Sequence, residues 1–204
     1  MTIYLYKNDL PPEVSFDGSV AIDTETMGLK PHRDRLCLVQ ISAGDGEAHL
    51  IQFDKNSDYN APRLKALLSD RSVTKIYHYA RFDVDVLERY IGAADGPIFC
   101  TKIASKLVRT FTDRHGLKEL CRELLSIDLS KQQQSSYWGA TELTEEQKKY
   151  AASDVLYLHA IKDKLESMLK REGRLELAHE CFKFLPTRVR LDRYGWDEPD
   201  IFAH

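Results

Sequence analysis

The stretch AIDTETMGL, residues 21–29, sets two acids at the end of the apolar run Val20-Ala21-Ile22. The run reads as a short buried strand, and side chains two apart on a strand share a face, so Asp23 and Glu25 point together with Thr24 behind. Two more segments set an acid against apolar residues: HYARFDVDVL, 78–87, carrying Asp83, and YAASDVLYL, 150–158, carrying Asp154. An unpaired carboxylate is costly to bury and is normally compensated by a cation or a metal. Tyr150 and Asp154 stand four apart in a helical pattern running over 143–169, which stacks phenol and carboxylate on one helix face. Asp83 lies near the start of another helical stretch, just after a strand-like 74–77, so three elements converge at one strand end.

Outward from these segments the pattern alternates strands with helices. Residues 36–42 and 48–53 are strand-like, and Gly44-Asp45-Gly46 between them is a strong hairpin-turn signal. With 20–23 they predict a three-strand antiparallel opening. A helix over 62–68, a strand at 74–77, a helix over 81–90 ended by Gly92 and a short strand at 98–100 follow. Helical stretches at 103–107 and 117–124 lead to a long helix opening at Thr144, where Thr144 and Gln147 form a capping box. Pattern alone fixes only α/β or α+β.

A chain of 204 residues is long enough for one sizeable domain, burying about 70% of its unfolded surface. No cationic leader with an apolar core opens the sequence, and no apolar run approaches the roughly 18 residues of a membrane span, so a cytoplasmic location is expected. Cys37, Cys100, Cys121 and Cys181 stand alone in apolar settings without a C-x-x-C pair, which favours buried free thiols over zinc or disulfides. The formal net charge is −3. A protein that grips a long polyanion normally carries a broad basic surface, so a short substrate fits this balance better. From Phe182 onward, Phe184, Leu185, Val189, Leu191, Tyr194, Trp196, Ile201 and Phe202 make a terminal segment that must pack on its own domain or on a neighbouring protomer.

The order D-x-E, F-D, Y-x3-D resembles the DEDD 3′-5′ exonucleases, tyrosine-bearing branch. RLCLVQIS, RHGLKEL, SKQQQSSYW and EQKKYAASDVLYL resemble ribonuclease D segments, and together they cover most of residues 20–160. Within that superfamily DRLC, CTKIASKL, DRHGLKEL and the ending FLPTRV…GW…DIFAH are most similar to the nanoRNase C oligoribonucleases. The resemblance implies an α/β fold, a ribonuclease H-like (DnaQ-like exonuclease) mixed sheet flanked by helices. It also implies a single exonuclease domain over 1–204, with 182–204 as a C-terminal packing and oligomerisation segment and an octamer as the assembly.

Phosphodiester hydrolysis needs a nucleophile from water and relief of charge on the leaving oxygen, both of which two divalent ions supply. Hard oxygen donors favour Mg²⁺ or Mn²⁺ over zinc. By the resemblance Asp23 bridges the metals, Glu25 and Asp154 complete one site, Asp83 supports the second, and Tyr150 positions the attacking water. The implied activity is a metal-dependent 3′-5′ exoribonuclease releasing nucleoside 5′-monophosphates from short RNA, down to dinucleotides such as pGpG. The chain has no room for the extra helical domains of ribonuclease D, which supports the short substrate. Ribonuclease D-like trimming of longer 3′ ends, action on DNA, and a catalytically dead binding protein are the competing readings.

Bland readings stand beside these. Asp23 and Glu25 read alone are a strand-end pair, Asp83 a helix-start acid, Asp154 an exposed helix charge, and Asp85 an acid facing solvent or a basic neighbour. Leu29 resembles the apolar wedge such exonucleases press against terminal bases, with Thr26, Met27 and Gly28 as its substrate-binding turn; core packing is the alternative. His78 either touches a base or phosphate or simply packs. Lys131, Ser135 and Ser136, beside Trp138, are the best candidates for holding a substrate phosphate, with Arg114 as runner-up. Tyr137 stands where relatives usually carry Asp, which puts helper contacts or loop order in question but not the four metal-binding positions.

Overall fold

The computed structural model describes residues 1–93, 96–130, 132–133, 135–198 and 201–202. Six strands form one mixed sheet: β1 (Thr2–Lys7), β2 (Ser19–Thr26), β3 (Leu36–Ser42), β4 (Glu47–Gln52), β5 (Thr74–Tyr77) and β6 (Ile98–Cys100), in the order β1-β4-β3-β2-β5-β6. The expected antiparallel opening is present, with Asp23 opposite Gln40 and Gln40 opposite Leu50. Gly44 and Gly46 take left-handed φ of 81° and 90° at the hairpin, which a glycine adopts without Cβ strain. β5 and β6 continue the sheet in parallel from β2. All seven residues of β3 are buried, as its nearly unbroken apolar run requires.

Among the described residues seven α-helices flank the sheet: α1 (Pro62–Ser69), α2 (Ala80–Tyr90), α3 (Thr101–Val108), α4 (Leu117–Leu120), α5 (Glu145–Leu156), α6 (Leu158–Arg171) and α7 (Leu175–Arg193). This is the ribonuclease H-like mixed sheet that the resemblance implies.

Three features depart from the sequence reading. β1 was not expected; it lies at the sheet edge, parallel to β4, its signal the β-prone run Ile3-Tyr4-Leu5-Tyr6. The predicted long helix over 143–169 is two, because the chain breaks at Tyr157, with φ −104° and ψ −4°. The break lets α5 lie on β2, β3 and β4 while α6 turns against α3. The stretch 117–124 is a short α-helix running into a π-helical turn, Cys121–Leu125. The capping box at Thr144 and Gln147 is formed as expected, through Thr144 N–H to Gln147 Oε1 at 2.9 Å and Gln147 N–H to Thr144 Oγ1 at 3.2 Å.

α7 runs on through Pro186 and buries Ala178, Phe182, Leu185 and Val189. Phe182 meets Phe99 of β6 with ring centroids 4.8 Å apart. Burying each large apolar side chain of this kind is worth about 1.5–3 kcal/mol, which secures the helix despite the proline. Among the described residues three ion pairs tie it to α2, Arg81 with Asp192, Arg193 with Asp85 and Arg193 with Glu88. Phe184 on the helix, and Tyr194, Trp196, Ile201 and Phe202 beyond its end, are exposed. Among the described residues no helix is long and apolar enough to cross a membrane.

Candidate active site

Asp23 and Glu25 lie on one face of β2, as alternation dictates, and α5 crosses that face to bring Asp154 down on them. Carboxylate oxygens of Asp23, Glu25 and Asp154 all lie within 4.8 Å of one another. A register irregularity between Glu25 and Thr26 lets β2 turn away immediately after the acids. Asp83 enters from the first turn of α2 and is almost fully buried. Its Oδ1 accepts a hydrogen bond from Thr24 Oγ1 at 2.7 Å. Thr24, which the sequence left merely behind the acids, is therefore the residue that fixes Asp83. Asp23 Oδ2 accepts from Gln40 Nε2 at 3.4 Å, a contact across the β2–β3 ladder.

Burial raises all four acids, and neighbouring carboxylate charges add to it at Glu25, Asp83 and Asp154. Burial lifts Asp23 to about 7. Glu25 is pushed well above the ordinary carboxylate range by burial, then by the charges of Asp23, Asp154 and Asp83. Asp154 rises through burial and Asp23, against a lowering hydrogen bond from Tyr150. Asp83 rises through burial and Asp23, opposed by Thr24. The Tyr150 phenol is also raised, first by burial and then by Asp154. Two like charges at this separation repel by roughly 3–4 kcal/mol at an effective dielectric constant near 20. Among the described residues no lysine, arginine or histidine forms an ion pair with any of the four. A half-buried oxygen cluster, with Asp83 buried behind it and no protein cation of its own, fits hard divalent cations, Mg²⁺ or Mn²⁺.

The acids open into a cleft of about 620 Å³. One lip is the turn after β2. Thr26 Oγ1 donates to the carbonyl of Gly28, and the Asp34 carboxylate, held by Lys30 N–H and the Arg33 guanidinium, backs directly onto the Gly28 Cα. No Cβ fits there. The turn presents Leu29 with 83% of its surface exposed, so core packing is not its role, and Met27 stands half out beside it. A second wall joins His78 and Tyr79 to Lys102 of α3. Tyr79 has the left-handed φ of 82°, costly for a bulky residue, and Lys102 Nζ lies 4.2 Å from its ring centroid.

Ser135 and Ser136 line the far side. Ser136 Oγ accepts from Gln147 Nε2 at 2.9 Å, and the same amide reaches the carbonyl of Tyr137 at 3.3 Å. Ser136 and the Tyr137 backbone are thus tied to Gln147, while the Tyr137 side chain faces solvent. Trp138 is buried beneath Tyr150, ring centroids 6.0 Å apart. Lys131 lies outside the described residues. Arg114 is exposed and does not line the cleft, whereas Lys102 and Lys118 do. In the sequence Lys102 and Lys118 belong to a basic cluster with Lys106, Arg109 and Arg114, for most of which a solvated face is the default reading. Asp85 is turned away and pairs with Arg193, as expected for the acid not used. Of the thiols Cys37, Cys100 and Cys121 are buried and Cys181 is partly so; all are free.

The family model described as 3′-5′ exonuclease matches residues 8–170. The ribonuclease D of Acidiphilium cryptum is 34% identical over 161 residues, which are 79% of this chain and 40% of that protein. The chain thus spans about two fifths of the length of the ribonuclease D relatives it matches. Brucella melitensis NrnC with bound Mg²⁺ is 58% identical with a TM-score of 0.93, and the alignment covers 100% of both chains. The same protein bound to pGG is 59% identical with a TM-score of 0.94, covering 100% of this chain and 99% of that one. The chain belongs to the 3′-5′ exonuclease family, within it to the NrnC nucleases.

Proposed function

We propose that this protein is a divalent-metal-dependent 3′-5′ exoribonuclease that hydrolyses very short RNA, dinucleotides such as pGpG above all, to nucleoside 5′-monophosphates. The observation that carries this reading is the convergence of Asp23, Glu25 and Asp154 within 4.8 Å, with Asp83 buried beside them, in one open cleft. Asp23, Glu25 and Asp154 would hold one divalent ion, and Asp83 with Asp23 would support a second. When bound, these ions supply charge neutralisation at the scissile phosphate and its leaving oxygen. Tyr150 keeps its proton, since burial and neighbouring acids raise its pKa. It therefore orients the attacking water by hydrogen bond and does not serve as a base. Leu29 wedges against the terminal bases from the rigid turn of Thr26, Met27 and Gly28. Ser135, Ser136 and Lys131 cap the 5′ phosphate of the dimer with hydroxyl donors and a cation, a contact that favours a short end over a continuing strand.

Three features support the short substrate. The cleft volume of about 620 Å³ lies in the roughly 300–1,000 Å³ range of sites that enclose a small ligand. The net charge of −3 offers no broad basic track. An NrnC structure 59% identical to this chain holds pGG. The ribonuclease D-like alternative, trimming longer 3′ ends, draws on the ribonuclease D relatives, which match at 29–35% identity. Incubation of a short 5′-labelled RNA with Mn²⁺ tests the catalytic reading. Stepwise loss of 3′ nucleotides as 5′-monophosphates is expected; full-length RNA persisting at protein levels that bind it contradicts the proposal.

We also read residues 1–204 as a single exonuclease domain that self-associates through 182–204, in the octamer implied by the family. The exposed Tyr194, Trp196 and Phe202 support that surface. Four free thiols and the absence of a membrane-spanning helix among the described residues fit a cytoplasmic location. Light scattering that finds a monomer at micromolar protein counts against the oligomer.

A further inference from the structure

Thr101 opens α3 fully buried, and its hydroxyl oxygen stands 3.1 Å from the carbonyl oxygen of Tyr77 and 2.9 Å from Nδ1 of His78. A carbonyl only accepts, and a hydroxyl has one proton to give. That proton goes to Tyr77, so the Thr101 oxygen accepts from Nδ1–H of the imidazole. A neutral ring protonated at Nδ1 presents a bare lone pair at Nε2. The ring stays neutral because burial, and after it the Lys102 ammonium, push the His78 pKa down to about 3. His78 lines the cleft, and its only hydrogen bond among the described residues is the one at Nδ1.

The cleft therefore contains a fixed acceptor where the substrate lies. A phosphate oxygen has no proton for it. Base edges carry N–H donors, but in a different pattern for each base, so one rigid acceptor cannot meet them all. The donor found at the same place in every ribonucleotide, and missing from every deoxyribonucleotide, is the 2′-hydroxyl. We propose that His78 selects RNA over DNA in this cleft by accepting, at Nε2, a hydrogen bond from a ribose 2′-hydroxyl, with Thr101 as the positioning residue that sets the tautomer. This rests on the exoribonuclease reading above.

The test compares all-ribose pGpG with dimers lacking one 2′-hydroxyl at a time and with a dimer lacking only the terminal 3′-hydroxyl. Both kcat/KM with Mn²⁺ and Kd with Ca²⁺ are measured for the wild type, His78→Ala, Thr101→Val and Thr101→Ser. In the wild type, one 2′-deoxy dimer should be disfavoured on the order of tenfold or more, as sites built to hydrogen-bond a substrate hydroxyl reject its deoxy analogue. His78→Ala should erase that ratio by weakening the ribose dimer far more than the matching deoxy dimer. Thr101→Val should narrow the same ratio with the ring still present, and Thr101→Ser should restore it. Equal handling of ribose and 2′-deoxy dimers by the wild type overturns the proposal. So does a His78→Ala loss that is the same for every dimer, or that follows only the 3′-hydroxyl. Wild-type protein that fails to cleave the all-ribose dimer contradicts the exoribonuclease reading instead, and the Ca²⁺ binding comparison still decides the role of His78.

Discussion

Thr24 donates its hydroxyl to Asp83 across 2.7 Å, joining β2 to the first turn of α2 behind the other acids. The bond spans 59 residues of sequence and makes the position of the fourth carboxylate depend on the strand that carries the first two. Outer partners that orient metal-binding carboxylates are typically worth about 10- to 100-fold in metal affinity or activity. Thr24→Val is therefore expected to lower turnover within that range and raise the Mn²⁺ concentration needed for half activity, while Thr24→Ser stays near wild type. A Thr24→Val protein with unchanged Mn²⁺ dependence would show that Asp83 needs no such support.

Loss of an inner acid should be more severe. Asp23→Ala and Asp154→Ala are expected to remain folded and lose nearly all turnover, an effect of several kcal/mol on the transition state. Tyr150→Phe should be impaired less, because the carboxylates remain. Asp83→Ala and Asp85→Ala form the internal control. Asp85 pairs with Arg193 outside the cleft, so its loss should cost about 1 kcal/mol or less of stability and no turnover. Equal activity loss in the two variants would mean that the middle motif is misassigned.

Leu29 offers a test with little folding background. With 83% of its surface in solvent, Leu29→Ala should change stability by no more than about 0.5 kcal/mol. The same variant is expected to raise KM for a dinucleotide severalfold, since it removes the proposed wedge against the bases. Melting curves and steady-state kinetics separate the two effects, and a variant with native KM would remove Leu29 from the substrate site.

The acids also set a pH dependence. Burial lifts Asp23 to about 7, and Glu25, Asp83 and Asp154 lie well above their ordinary values. A group whose folded pKa exceeds its unfolded value contributes stability below the unfolded value, near 4 for carboxylates, and loses it as pH rises through the folded value. Metal-free protein should therefore lose melting temperature between roughly pH 5 and 8, and Mg²⁺ or Mn²⁺ should restore it most at the upper end, where fewer protons are displaced. A flat profile in EDTA would contradict the mutual burial of the four acids.

Much of this was legible in the sequence, and the exceptions have physical causes. The acids announced themselves because carboxylates set in apolar runs demand compensation, and the strand and helix periods fixed which of them share a face. The turn at Gly44 and Gly46 and the cap at Thr144 depend only on local chemistry, so they read directly. β1 was missed because an edge strand half open to solvent carries only a weak alternating pattern. The break at Tyr157 has no glycine or proline to mark it, and tertiary packing of α5 and α6 on different partners decides it. Thr24 as the support of Asp83, and Lys102 and Lys118 as cleft residues, depend on contacts between distant segments that spacing along the chain does not encode.

The measurement closest to the central claim is kcat/KM for RNAs of two to about twenty nucleotides, with 5′-phosphorylated and unphosphorylated dimers included. The proposed cap of Ser135 and Ser136 on a 5′ phosphate predicts the highest efficiency for the 5′-phosphorylated dimer, a steep fall with added length, and a loss when that phosphate is removed. Efficiency that stays level or rises with length would contradict the dinucleotide reading and favour a general 3′-end exonuclease.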